Sequence, residues 1–336
     1  MIVPPDLLRA LENDPNARVR RAAERTHRTE LVERQPLHIA ERSATHRPHP
    51  IHRLVYDCHS RKSLPGRLVR REGDPDTGDA DIDRAYRAAG ITHDFFAKIF
   101  GRDSIDDRGM HLIASVRYDD AWDNACWDGA QMIYGSGDGT FFASFTTCID
   151  VMAHELVHGV TQADCGLEYV GETGALSESL SDVFGVLVKQ WSLHQTAHEA
   201  DWLFGPGQIL HHPKAALRSL AAPGSAYHLL EGRDRQVSHM RDYVTGLSLE
   251  EEVHINSGIP NHAFYRFAKN LGGHAWETAG RVWYDAMRSG LDRRCEFSEF
   301  ARATLTAAHA HGCHVVDALH SAWNAVGIDT PVPARA

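Results

Sequence analysis

Between Asp150 and Asp182 the chain places two histidines, His154 and His158, four residues apart, with Glu155 beside the first. An α-helix turns once in about 3.6 residues, so both imidazoles leave one face. Val151, Met152, Leu156, Val157 and Val160 flank them, as in a helix that is buried in a core. H-E-x-x-H is a zinc pattern in which the glutamate serves as general base. A catalytic zinc takes three protein ligands and keeps one position open. The run G-A-L-S-E-S-L-S-D at 174–182 reads as the start of a second helix, with Glu178 and Asp182 one turn apart. Glu178 is the candidate third ligand. Asp182 is the candidate acceptor for the second ring N–H of a zinc histidine. The three-histidine variant of the pattern needs glycine and histidine where this chain has Thr161 and Asp164, and is excluded. The bland alternative is an amphipathic helix with two partly buried histidines; E-x-x-x-D on a second helix weighs against it.

The 336 residues suffice for two lobes around a sizeable core. A net charge of −10 argues against nucleic acid as the partner. No run of about 18 apolar residues exists, so no membrane-spanning helix is expected. The N-terminus lacks the apolar core of a Sec signal, which leaves the cytoplasm or export by another route. Cys58, Cys126, Cys148, Cys165, Cys295 and Cys313 form no C-x-x-C and read as free, mostly buried thiols.

Residues 1–50 differ from the rest: nine arginines stand against seven acidic residues, in a chain that is acidic overall. Pro4-Pro5 opens a helix-like run from Asp6 to about Gln35, and R-P-H-P at 47–50 breaks it. Two readings stay open for this segment, a disordered tail or an inhibitory pro-segment docked on an acidic cleft. Short strands are expected at 53–57 and 66–71, then a helix capped by Asp81 and running to Phe100. Further strands are expected at 111–118 and 130–140, with D-N-A-C-W-D-G between them. Helices are expected near 175–193, 257–271, 275–290, 297–311 and 314–326, while 192–250 reads as loop-rich. The pattern is α+β: a sheet-containing lobe over 51–172 that includes the H-E-x-x-H helix, and a helical lobe over 173–330. The zinc lies at their junction, where clefts form.

From about Arg53 to Gly327 the sequence resembles the thermolysin family of zinc metallopeptidases. The resemblance rests on H-E-L-V-H, G-A-L-S-E-S-L-S-D, D-N-A-C-W-D-G, M-I-Y-G-S-G-D-G, L-R-S-L at 217–220 and V-H-I-N-S-G-I-P-N at 253–261. The short N-terminal segment with Pro4-Pro5-Asp6-Leu7-Leu8 is similar to the protealysin branch. The resemblance implies a two-lobed thermolysin-like fold and a neutral endopeptidase. His154, His158 and Glu178 would hold zinc, and Glu155 would take a proton from the attacking water and pass it to the leaving amine. Tyr169 and His254 would bind the oxyanion. Asn124, Arg218 and the Ala125 carbonyl would hold the substrate backbone, while Asp182 orients a zinc histidine. Phe142, Phe145, Val151, Phe204 and Leu217 would line the main specificity pocket, implying cleavage on the amine side of a bulky apolar residue. The pro-segment would block the cleft until autocleavage within 40–52. A proteinaceous inhibitor is a further partner to expect, and the resemblance favours secretion.

Three departures stand out. Leu249 replaces an aspartate five residues before His254, and one of Glu250, Glu251 or Glu252 is expected to supply the carboxylate. Ser177 replaces the asparagine before Glu178, as a shorter partner behind the ligands. The family's double calcium site keeps Asp150 and Asp201 but has Lys189, Leu203 and Pro206 at other positions, so an ion pair from Lys189 to Asp150 is expected to replace calcium. Two rivals remain: a zinc aminopeptidase, which would need a G-x-M-E-N strand that is not found, and an inactive binding module.

Overall fold

The computed structural model describes residues 2–29, 50–229 and 232–330. The N-terminal run is two helices, α1 (Pro5–Leu11) and α2 (Ala17–Arg28). Asn16 causes the break: its side chain caps α2 by accepting the Arg18 N–H at 2.9 Å. The end of the expected run, the linker and the expected cleavage region up to residue 49 lie outside the described residues.

A five-stranded sheet follows, built from β1 (Arg53–Arg61), β2 (Arg67–Arg71), β3 (Leu112–Tyr118), β4 (Ala125–Trp127) and β5 (Met132–Tyr134). Its order is β2-β1-β3-β5-β4. Both β1–β3 and β3–β5 pair in parallel, and the outer pairs are antiparallel. Part of the segment expected as a connection is therefore the edge strand β4, and the strand expected over 130–140 shortens to three residues. Between β2 and β3 runs α3 (Ala80–Phe100). Its cap is Asp79, which accepts the Asp81 and Ile82 N–H groups at 3.0 and 3.3 Å. Asp81, expected as the cap, instead accepts the hydroxyls of Ser144 and Thr146.

The two helices at the centre are α4 (Ile149–Asp164) and α5 (Gly171–Ser192), and nearly every residue of both is buried. Two glycines permit their approach. A methyl group at Gly185 of α5 would stand 2.7 Å from the Asp150 carbonyl of α4, and one at Gly159 would meet Trp127 of β4 at 3.0 Å. The glycines thus let α4 lie between the sheet edge and α5. Beyond them come α6 (Leu249–Asn256), α7 (Gly258–Leu271), α8 (Thr278–Met287), α9 (Phe297–Ala308) and α10 (Cys313–Ala325). The two-residue strands β6 (Leu203–Phe204) and β7 (Arg218–Ser219) pair antiparallel. A sheet-bearing lobe and a helical lobe meet along α4 and α5, as the resemblance implied. Five of the six cysteines are buried and all are free. Among the described residues no helix is long and apolar enough to cross a membrane.

Candidate active site

His154 and His158 leave α4 on the side that faces α5, and Glu178 of α5 comes to meet them. The two Nε2 atoms stand 3.0 Å apart. Each lies 3.4 Å from an oxygen of Glu178. All three residues are buried. Donor atoms about 2.0–2.1 Å from a tetrahedral zinc are separated by about 3.3 Å, so this nitrogen–nitrogen–carboxylate set fits zinc. Among the described residues it is the single His/Cys/Asp/Glu cluster with metal-binding spacing.

Behind the cluster, Asp182 ties the site together. Its Oδ1 lies 2.9 Å from His154 Nδ1. Arg218 donates to both Asp182 oxygens, from Nε at 2.8 Å to Oδ2 and from Nη2 at 2.8 Å to Oδ1. Asn261 donates to the same Oδ2 at 2.9 Å. Burial would raise the Asp182 carboxyl, but Arg218 and His154 outweigh it and hold it below the usual range. Burial likewise opposes the charge on Glu178, and the His254, His158 and His154 imidazoles hold that carboxyl well down. His158 Nδ1 lies 3.1 Å from the hydroxyl of Ser181. Ser181, which the sequence reading did not single out, is thus the serine at a ligand's second nitrogen; Ser177 is buried one residue before Glu178.

Tyr169 donates its hydroxyl to Glu178 Oε1 at 2.7 Å, and His254 Nε2 stands 3.4 Å from Oε2. His254 belongs to α6, a helix not among those expected, which starts at the end of the loop-rich region. It is held by a capping box between Ser248 and Glu251. The expected carboxylate partner is not what His254 finds. Its Nδ1 meets the backbone carbonyl of Glu250 at 2.6 Å. Glu251 is engaged by Ser248 and by Arg9 of α1, and Glu252 accepts the Leu247 N–H at 2.9 Å.

Asn124, just before β4, and Arg218, on β7, form the opposite wall. Here the first residues of the chain lie. Asn124 Oδ1 accepts the Ile2 N–H at 2.8 Å and the Val3 N–H at 3.4 Å. Arg218 donates from Nη1 to the Ile2 carbonyl at 2.9 Å. Ala125 N–H is turned to Asn124 Oδ1 at 3.0 Å. Ile2, Val3, Leu7, Leu8 and Leu11 are buried in one core with Phe142, Phe145, Val151, Phe204 and Leu217. Outside the apolar contact, Arg9 pairs with Glu251. The N-terminal segment is therefore docked on the cleft and is no loose tail over its described part.

Farther along α5, Lys189 Nζ lies 3.1 Å from Asp150 and 3.0 Å from Asp201, and donates to the Leu203 carbonyl. Burial disfavours its charge, yet the two carboxylates hold its pKa above the ordinary value. We expect a calcium-selective chelator to leave the melting temperature unchanged. Lys189→Met, which strands buried Asp150, should cost about 3–5 kcal/mol by urea unfolding. A marked fall in melting temperature on chelation would contradict the replacement.

A sheet lobe and a helical lobe with a two-histidine, one-glutamate cluster between them define a metallopeptidase of the H-E-x-x-H type. Residues 28–162 match the family model described as thermolysin metallopeptidase, catalytic domain, and residues 165–328 match its alpha-helical domain. The chain belongs to the thermolysin family of metallopeptidases. It is 44% identical over 309 residues to the "Extracellular metalloprotease" of Pectobacterium carotovorum subsp. carotovorum, covering 87% of this chain and 88% of that one. It is also 44% identical to "Protease PrtS" of Photorhabdus sp. (strain Az29), over 83% of this chain and 76% of the other. The solved precursor of protealysin from Serratia proteamaculans is similar in fold, with a TM-score of 0.89 and 41% identity over 97% of this chain and 98% of that one. This chain is a metalloendopeptidase of the protealysin-like kind.

Proposed function

We propose that this zinc neutral endopeptidase is made shut by its own first residues and cuts on the amine side of a bulky apolar residue. The carrying observation is the grip on Ile2 and Val3. Asn124 takes two successive N–H groups and Arg218 takes the carbonyl between them, the pattern an extended peptide substrate presents. Ile2 stands in for the residue whose amine leaves, and its apolar surroundings set the preference.

His154, His158 and Glu178 hold the metal in this reading. Zinc, when bound, supplies Lewis acidity and lowers the pKa of water. Glu155, buried beside His154, accepts the proton of the attacking water and delivers it to the departing nitrogen. Tyr169 and His254 donate to the oxyanion, contacts worth about 3–4 kcal/mol each where such donors have been removed. Asn124 and Arg218 fix the backbone, and the Ala125 carbonyl accepts from it. Because the pro-segment occupies both clamps, substrate enters after its removal. We propose that the enzyme works outside the cell, as the printed name says of the Pectobacterium relative.

Hydrolysis of a peptide blocked at its N-terminus tests the reading. Cuts before leucine, isoleucine, valine or phenylalanine support it. Cutting confined to peptides with a free N-terminus would favour an aminopeptidase.

A further inference from the structure

Beneath α2, just before β4 and just after β5, lie two carboxylates that the chemistry above does not use. Asp123 and Asp138 are both fully buried. No side chain hydrogen-bonds either oxygen of Asp123, or Oδ2 of Asp138. The two are not equivalent. Asp138 Oδ1 accepts the N–H groups of Thr140, Phe141 and Phe142 at 2.8, 2.8 and 3.0 Å, which stabilises its ionised form. Asp123 has only the Asp138 N–H in place of such a three-donor cradle. The charged groups that face it are Asp138 and, from α2, Arg18, whose guanidinium lies over Gly139. Its burial, and then the Asp138 charge, push its carboxyl well above the ordinary range; the Asp138 N–H and Arg18 only partly offset them.

The cover over this pair is the pro-segment. Thr26 of α2 is fully buried, and its hydroxyl accepts the Asp123 N–H at 2.9 Å. Val19, Ala22 and Ala23 complete the buried face of α2. A water-accessible cavity of about 440 Å³, lined by Arg18, Arg21, Ala22, Arg25, Asp120 and Ala121, separates the rest of the helix from the loop before Asp123. Asn124, the next residue, clamps Ile2. Asp123 therefore sits between two anchors of the pro-segment and is buried with α2 in place.

We propose that Asp123 and Asp138 form a proton-holding latch: the docked pro-segment keeps a proton on Asp123, and loss of that proton as pH rises loosens α2. This rests on the reading of residues 1–50 as a pro-segment. A free aspartate titrates near pH 4, so above about pH 4 the released state gives up a proton that the docked state retains. Docking is unaffected by this group below that pH. It weakens by up to about tenfold per pH unit as pH climbs toward the raised docked value.

The test uses the full, zinc-loaded chain with Glu155→Gln, which does not process itself. Hydrogen exchange of the α2 amides is followed from about pH 5 to about pH 8 and corrected for intrinsic rates. The opening constant should rise with pH by up to about tenfold per unit. Asp123→Asn on the same background should lose that rise and remain protected at the upper pH. Asp120→Asn, at the exposed neighbour that pairs with Arg25, should keep it. Protection of the β3 amides reports that each variant is folded, and Asp123→Ser supplies a second uncharged replacement. No rise in the parent, or an equal rise with and without Asp123, overturns the latch. Inhibition by the pro-segment is read separately, from peptide hydrolysis by the chain with Glu155 intact, so the two ideas fail independently.

Discussion

Glu155→Gln should abolish measurable peptide hydrolysis, lowering kcat by about 10²–10⁴-fold, while the protein still binds one zinc. Glutamine matches glutamate in shape but cannot accept a proton. Glu155 is not among the three metal-spaced side chains, so its loss leaves His154, His158 and Glu178 in place. It is buried on α4 beside a candidate ligand, where a base that serves an attacking water must be. Metal analysis and single-turnover hydrolysis on one preparation check this. Residual activity close to that of the parent would remove Glu155 from the mechanism. Zinc loss would instead make it part of the metal site. The variant should also keep its pro-segment, since processing within 40–52 is read as the work of the same catalytic centre.

The second large effect is expected at Asp182, whose carboxylate serves His154, Arg218 and Asn261 together. Asp182→Ala leaves the Arg218 guanidinium buried without its partner, and breaking such a pair from one side costs about 3–5 kcal/mol. It also removes the group behind a zinc histidine, which typically weakens metal affinity about 10–100-fold. Urea unfolding and zinc titration should both move, and KM should rise if Arg218 holds the peptide carbonyl as it holds that of Ile2. A change in stability with unaltered zinc affinity would mean that the contact to His154 does nothing for the metal.

The reach of the sequence differed from one part of this site to another. The cluster with metal-binding spacing was legible because helix period and ligand chemistry coincide: a spacing of four puts His154 and His158 on one face, and Glu178 comes one helix later. Lys189 was legible because a cation stood among carboxylates, and it does pair with Asp150. Ser181 was not legible. It lies one turn beyond Ser177, and which serine reaches a ring is set by the rotation of α5 against α4. The partner of His254 was hidden for another reason. A backbone carbonyl leaves no residue signature, and the acidic run at 250–252 offered three decoys. The same acidic run, with only Leu249, Val253 and Ile255 as apolar markers, disguised the eight-residue helix α6. The cap of α3 was misplaced by two residues because Asp79 and Asp81 are equally good oxygen acceptors, and tertiary contacts to Ser144 and Thr146 claim the second.

The N-terminal segment shows where sequence and structure inform each other most. Arginine-rich and only weakly amphipathic, it was compatible with a loose tail or a docked inhibitor. Its burial against the cleft, and the backbone contacts of Ile2 to Asn124 and Arg218, support the second reading. The most direct test compares hydrolysis of one N-terminally blocked peptide containing a single internal leucine, by the zinc-loaded chain before and after loss of its pro-segment. The account predicts slow or no cleavage by the full chain, rapid cleavage after processing, and a cut on the amino side of the leucine. Equal rates in the two states, or a cut elsewhere in the peptide, would contradict it.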